Sequence, residues 1–245
     1  MTTSPSPPPP VQSVPSPWRI GWAAARANFV PGLFLQAAAI ALVLAYYYNA
    51  NVNAWLASLA EFKKDFELLY TVASGAIFCG LIPWLFRVAI PSLRPVHLGS
   101  DLAFSIIYWG AIYTVSGSFY RAQAVFWGDT NAPSIIVIKV LCDMLLYTPI
   151  IAAPCNSIAH LWKANGFSFG TTRAALSRGW YRRIVMPNLV PNWMLWTPGC
   201  AVLYSLPVSL QLPMASLIGC FWALLCISIA SPETAPIPTA PTKGN

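Results

Sequence analysis

The stretch Ser134–Trp162, SIIVIKVLCDMLLYTPIIAAPCNSIAHLW, decides how the rest of the chain is read. It is a long apolar run interrupted by Lys139 and Asp143. As a helix rising about 1.5 Å per residue it would span roughly 43 Å. The hydrocarbon core of a bilayer is ~30 Å thick, so this helix must tilt, bend near Pro149 or Pro154, or protrude. Lys139, Asp143 and Tyr147 recur at i, i+4 and i+8 and so form one polar stripe. A carboxylate near mid-membrane costs about 2.5–3.5 kcal/mol. A residue kept at that cost faces protein or water, not lipid.

The composition agrees. Of 245 residues, 57% are hydrophobic and only 9% are charged, too apolar for an ordinary soluble domain. The apolar residues fall in several long blocks without period-2 alternation, which predicts an all-α, polytopic helical membrane bundle. The net charge of +7 resides in arginines between the hydrophobic blocks, where it marks cytoplasmic loops; no basic, aromatic-interleaved domain suited to nucleic acid exists. All six cysteines lie in apolar segments without a C-x-x-C, and there are two histidines. Zinc or iron–sulfur ligation is therefore not expected, nor is any other metal or cofactor.

Outward from the central stretch, residues 1–17 form a proline- and serine-rich tail, expected to be disordered and a poor targeting peptide. A single transmembrane domain over 18–231 follows, with about six spans kinked by prolines. An interfacial pattern around Arg19, Trp22 and Arg26 leads into a first span, Phe29–Tyr48. Residues 49–67 interleave Trp55, Leu56, Leu59, Phe62 and Phe66 with charges, as an amphipathic helix on the membrane surface or packed on other loops would. Further spans are expected over Leu68–Leu93, where Gly75 and Gly80 permit close helix approach and Pro83 a kink, and over Leu102–Trp127. After an Arg-rich cytoplasmic loop, 164–186, the charge-free run Met186–Ser231 divides at its prolines into spans Leu189–Leu206 and Met214–Ala230. Backbone groups freed by those prolines need partners inside the protein. Residues 232–245 are a second disordered tail. With both termini in the cytoplasm, the arginine-rich links fall inside, as the positive-inside rule requires.

The short link between the third and fourth spans makes them antiparallel neighbours. Depth counting then puts Arg121 level with Lys139 and sets Asp143 about one turn deeper. The expectation is that Asp143 neutralises Arg121, Lys139 or both, with Tyr120 or Tyr147 adding hydrogen bonds. Three roles fit this cluster: a structural clasp, a polar lining for a solute path with excess positive charge, or an acid–base site. No nucleophile–base pair or phosphate loop supports the last, so no catalytic residue is assigned and the chain is not read as an enzyme.

The spacing Lys139-x3-Asp143-x5-Pro149, followed by Asn192-Trp193-x-x-Trp196, Pro207 and Trp222, resembles the peroxisomal membrane protein family of about twenty-two kilodaltons, which includes the mitochondrial inner-membrane Mpv proteins. The likeness covers residues 100–231. Met144 stands where that family has Gln, no Gly-Pro precedes Phe119, and Thr197 separates Trp196 from Pro198. The resemblance implies an integral membrane protein without catalytic activity, akin to weakly selective channels. The expectation is therefore a small channel or solute-permeation protein, in a bacterial inner membrane or alternatively a mitochondrial or peroxisomal one. Its partners would be the bilayer, a small solute or anion, and further copies of itself. A non-transporting membrane scaffold is the alternative.

Overall fold

A computed structural model describes residues 16–27 and 29–229. Residues 1–15 and 230–245, which hold most of the two expected tails, lie outside the described residues. Pro17 does not belong to a tail: it opens helix α1 (Pro17–Ala27). The remaining helices are α2 (Phe29–Tyr48), α3 (Ala50–Asp65), α4 (Glu67–Ala89), α5 (Leu98–Trp127), α6 (Pro133–Ala164), α7 (Phe169–Ala175), α8 (Met186–Tyr204) and α9 (Val208–Ile229). No strand occurs among the described residues.

Helices α4, α5 and α6 are long and apolar enough to cross a membrane. A fourth apolar unit is the pair α2 and α3, bent by 99°. The charge-free C-terminal run is less broken than its prolines suggest. Helix α8 continues through Pro191 and Pro198, and α9 through Pro213. Only Pro207 falls at a break, directly before α9. A proline keeps helical φ, and what it removes is one amide donor.

The 49–67 segment is packed on protein. Asn49 caps α3 by accepting from the amides of Asn51 and Val52. Leu56 is buried in a cluster with Leu35, Ala39, Leu210 and Met214, while Trp55, Phe62 and Phe66 stay exposed. The Arg-rich loop contains α7 and a wide turn at Tyr181–Val185. Arg173, Arg178, Arg182 and Arg183 are all exposed there. The α1 segment packs its Gly21 and Ala25 face on α8, and Trp18 stacks on Trp193 with centroids 6.4 Å apart.

Helices α5 and α6 form the expected antiparallel hairpin, turning at Gly128 with φ +90°. Phe104 meets His160, Tyr108 meets Asn156 and Ser116 meets Tyr147, so one number falls as the other rises. Beyond the turn, Asp129 accepts from the Val208 amide and caps α9 from a distant loop. On the other flank, α4 lies unusually close to α5. A Cβ on Gly75 would sit 2.3 Å from the Trp109 carbonyl and 2.7 Å from the Tyr113 ring, so only glycine fits that crossing.

The prolines account for several of the side-chain contacts between helices. Over Asp143–Ala152 helix α6 widens to i→i−5 bonding, and two prolines, Pro149 and Pro154, stand five residues apart. Pro149 lacks the amide hydrogen that this ladder would direct to Met144 O. Pro149 O falls where the wide ladder, which ends with the Ala153 amide on Thr148 O, returns to α-helical winding. Both carbonyls take a side-chain donor instead. Trp193 Nε1 donates to Met144 O at 2.9 Å, and the Tyr181 hydroxyl donates to Pro149 O at 2.8 Å. In α9, Pro213 leaves Ser209 O without its i+4 donor, and Lys63 Nζ of α3 supplies one at 3.1 Å.

Trp193→Phe removes the donor to Met144 O and should cost about 1–2 kcal/mol of stability in detergent unfolding. In a Pro149→Ala background the restored amide can serve that carbonyl, and the same change should cost under ~0.5 kcal/mol. An equal cost in both backgrounds would refute this assignment of the gap.

Candidate functional site: a cavity between α5, α6, α8 and α9

A cavity of about 320 Å³ lies among these helices and the middle of α4. Its wall follows from helical periodicity. Tyr108, Ile112, Ser116 and Tyr120 come from α5 at i+4 steps, and Asn188, Asn192, Trp196 and Cys200 come from α8 in the same register. Helix α6 adds Asp143, Tyr147, Thr148, Asn156 and His160; α9 adds Leu212, Ala215, Gly219 and Trp222. Exposure is graded along the cavity. His160 and Asn188 are exposed, Tyr108, Asn156 and Asn192 are half-buried, and Tyr120, Asp143 and Cys200 are buried. The cavity thus has a mouth near the α8 N-terminus and a floor at Asp143.

Asp143 is only 4% exposed and is held by neutral donors. The Tyr204 hydroxyl donates to Oδ2 at 2.7 Å, and Cys200 Sγ approaches the same oxygen at 3.4 Å. Thr148 Oγ1 donates to Oδ1 at 3.3 Å. Gln123 Nε2 donates in turn to the Tyr204 oxygen at 2.6 Å, completing a buried chain from α5 through α8 to α6. Such chains fix orientation because each hydroxyl both donates and accepts.

The expected cluster is therefore partly assembled and partly replaced. Lys139, Asp143 and Tyr147 are all buried, as one stripe should be. Tyr147 pairs with Ser116 at 2.7 Å and stacks on Phe119 at 4.3 Å. Tyr120 packs edge-on against the Tyr204 ring at 5.8 Å. Neither expected cation reaches Asp143: among the described residues no Lys or Arg nitrogen lies within ion-pair distance of it. Arg121 pairs with Glu67 at the far end of α4, with both side chains nearly half exposed. The cause is azimuth, since consecutive residues on a helix point about 100° apart; Tyr120 faces the cavity, so Arg121 faces α4. Lys139 is 1% exposed and its Nζ lacks a hydrogen-bond partner. It lies 5.9 Å over the Tyr204 ring, so Tyr204 meets the acid with its hydroxyl and the base with its face. No lysine or arginine lines the cavity.

Of the remaining motif positions, Asn192, Trp196 and Trp222 line the cavity. Trp193 and Pro149 belong to the α6–α8 contact already described, and Pro207 precedes α9. Tyr181, outside the spans, keeps its phenol above the ordinary range through burial, so it remains a donor to Pro149 O at ordinary pH. Among the described residues no group of His, Cys, Asp or Glu is arranged to hold a metal ion.

The ionic clasp that sequence reasoning sought in the hairpin is elsewhere. Asp101, 7% exposed near the start of α5, accepts from Arg87 of α4 at 3.0 Å and pairs with Lys163 of α6. One carboxylate ties three long helices, and Lys163 also lies 5.1 Å over the Phe104 ring. The available signal was that Arg87, Asp101 and Lys163 occupy the same end of three consecutive antiparallel segments.

Comparison with known proteins finds no family model that matches the sequence, no curated protein that matches it and no matching solved structure.

Two substitutions separate the clasps. Asp101→Asn should cost about 2 kcal/mol, below the 3–5 kcal/mol of a fully buried pair because the Arg87 side chain is 31% exposed. Arg121→Gln should change stability by less than about 1 kcal/mol. Thermal unfolding of the two variants in one detergent checks the order.

Proposed function

We propose that the chain is an integral membrane protein of about six spans whose cavity serves solute permeation, with weak selectivity. The observation that carries this reading is the cavity itself. Its wall sets a carboxylate, asparagines and tyrosine hydroxyls among helices of which α4, α5 and α6 are long and apolar enough to cross a bilayer, and polar groups at such depth usually mark solute paths. The two spans beyond α2, α4, α5 and α6 are α8 and α9. At 19 and 22 residues they would extend roughly 28 and 33 Å, close to the ~30 Å core. Both termini lie on the cytoplasmic side in this reading, with the arginines of loop 164–186 obeying the positive-inside rule. The bacterial inner membrane is the favoured location. The motif positions shared with the peroxisomal membrane protein family support a distant kinship, since Asn192, Trp196 and Trp222 converge on the cavity.

Permeation through this path needs the floor to open, because Tyr204 joins Asp143 to Gln123 there. In this reading the floor is closed, and Tyr204 is the side chain whose movement would connect the cavity to the Lys139 side. In liposomes, wild-type protein should pass small polar solutes above the empty-vesicle rate. Tyr204→Phe, which removes the latch hydroxyl, should raise that rate severalfold. Equal flux from wild type, Tyr204→Phe and empty vesicles would overturn permeation and leave a non-transporting scaffold that docks partners through exposed Arg173, Arg178 and Arg182.

A further inference from the structure

We infer that the cavity binds a small organic cation, an amine or quaternary ammonium, with its charge seated between Asp143 and the aromatic rings of the wall. This deepens the permeation reading and rests on the same cavity, but it concerns what binds there and not whether anything crosses.

Charge is the first argument. Asp143 is the only acidic side chain in the wall, and no lysine or arginine joins it. A buried carboxylate is ordinarily matched by a cation or by a full set of donors. Here its donors are two hydroxyls and a thiol, all neutral, and Oδ1 accepts only the long 3.3 Å bond from Thr148. Lys139 does not fill the gap, because it engages the face of the Tyr204 ring and stays out of the wall. A cation entering from the mouth would find an acceptor with free capacity at the floor.

Donor direction is the second. Several hydroxyl protons at the wall are committed to protein: Tyr113 donates to Ala215 O, Tyr108 to Asn156 Oδ1, and Tyr147 and Ser116 share one bond. Asn192 Oδ1, by contrast, is buried without a partner. The Asn192 oxygen thus adds an acceptor for a ligand rich in N–H, and the wall holds no lysine or arginine to match an anion.

Ring faces are the third. Tyr113, Tyr120 and Tyr147 of α5 and α6 and Trp196 and Trp222 of α8 and α9 all line the cavity. Aromatic faces attract desolvated cations, tryptophan most strongly. At about 320 Å³ the space is near the lower limit for small-molecule sites, with room for on the order of ten water-sized groups.

The test uses the full chain in detergent, titrated by calorimetry with choline and with its uncharged analogue, in which a carbon replaces the quaternary nitrogen. Choline should bind saturably, about tenfold tighter than the neutral analogue, and chloride or acetate at equal ionic strength should not compete. Asp143→Asn and Trp196→Leu should each weaken choline by about tenfold, whereas Lys139→Gln should leave it unchanged or tighter. Asp143→Glu retains the charge and should keep most of the affinity, which guards against reading a folding defect as lost recognition. Equal affinity for choline and its analogue, competition by acetate, or undiminished binding in a folded Asp143→Asn would each overturn the inference. Choline binding without liposome flux would sink permeation alone, and flux without preference for the charged analogue would sink this proposal alone.

Discussion

A proline in an apolar helix leaves a carbonyl that neither water nor its own helix can serve, and the cost of an unmet carbonyl in hydrocarbon is several kcal/mol. Much of this fold follows from where those carbonyls are met. In α6 Pro149 opens a gap at Met144 O, and the return from i→i−5 to α-helical winding opens one at Pro149 O. Trp193 and Tyr181 fill them. Both donors come from the same stretch of chain, the C-terminal half of the Arg-rich loop and the α8 that follows. Two hydrogen bonds therefore fix the lateral position of α8 on α6 and its rotation as well. With Trp193 turned onto α6, Asn192 and Trp196 take up the positions that line the cavity. The same logic at Ser209 O draws Lys63 across to α9 and gives the 99° fold of α3 on α2 a specific anchor.

Much of this was legible in the sequence, and the parts that were not share a cause. Apolar blocks marked the long helices, and the short Gly128–Pro133 link gave the α5–α6 hairpin. The i+4 stripe Lys139, Asp143, Tyr147 is buried throughout, even though helix α6 changes its winding at Asp143. What failed was the assumption that prolines divide helices. Pro191, Pro198 and Pro213 all lie inside continuous helix, and at Pro213 a neighbouring element, through Lys63, supplies the missing donor. Whether a neighbour will do so depends on packing that no local pattern encodes. The sequence leaves 49–67 either on the membrane surface or packed on other loops, and its apolar positions are split between a buried Leu56 and exposed Trp55 and Phe62.

The misplaced ion pair teaches a different lesson. Depth along the membrane brought Arg121 near Asp143, but depth is one coordinate of two. Tyr108, Ile112, Ser116 and Tyr120 define the inward face of α5; Arg121 is one residue off that face and finds Glu67. The inward stripe could have been traced from the sequence and would have excluded Arg121. The true clasp at Asp101 satisfies both coordinates, with Arg87 and Lys163 at the same level and on converging faces.

With Arg121 drawn away and Lys139 held behind Tyr204, the bundle keeps lysine and arginine off the cavity wall and Asp143 on it. That separation is structural before it is functional. Tyr204 can join Lys139 and Asp143 only because an aromatic ring offers a negative face to a base and a hydroxyl proton to an acid. Direct contact between Lys139 and Asp143, one turn apart on a single helix, would satisfy both groups locally and leave α8 and α5 without a reason to meet there. Routed through Tyr204 and on to Gln123, the same two charges tie α5, α6 and α8 together at the cavity floor. They also leave one face of the carboxylate toward the space that the helices enclose.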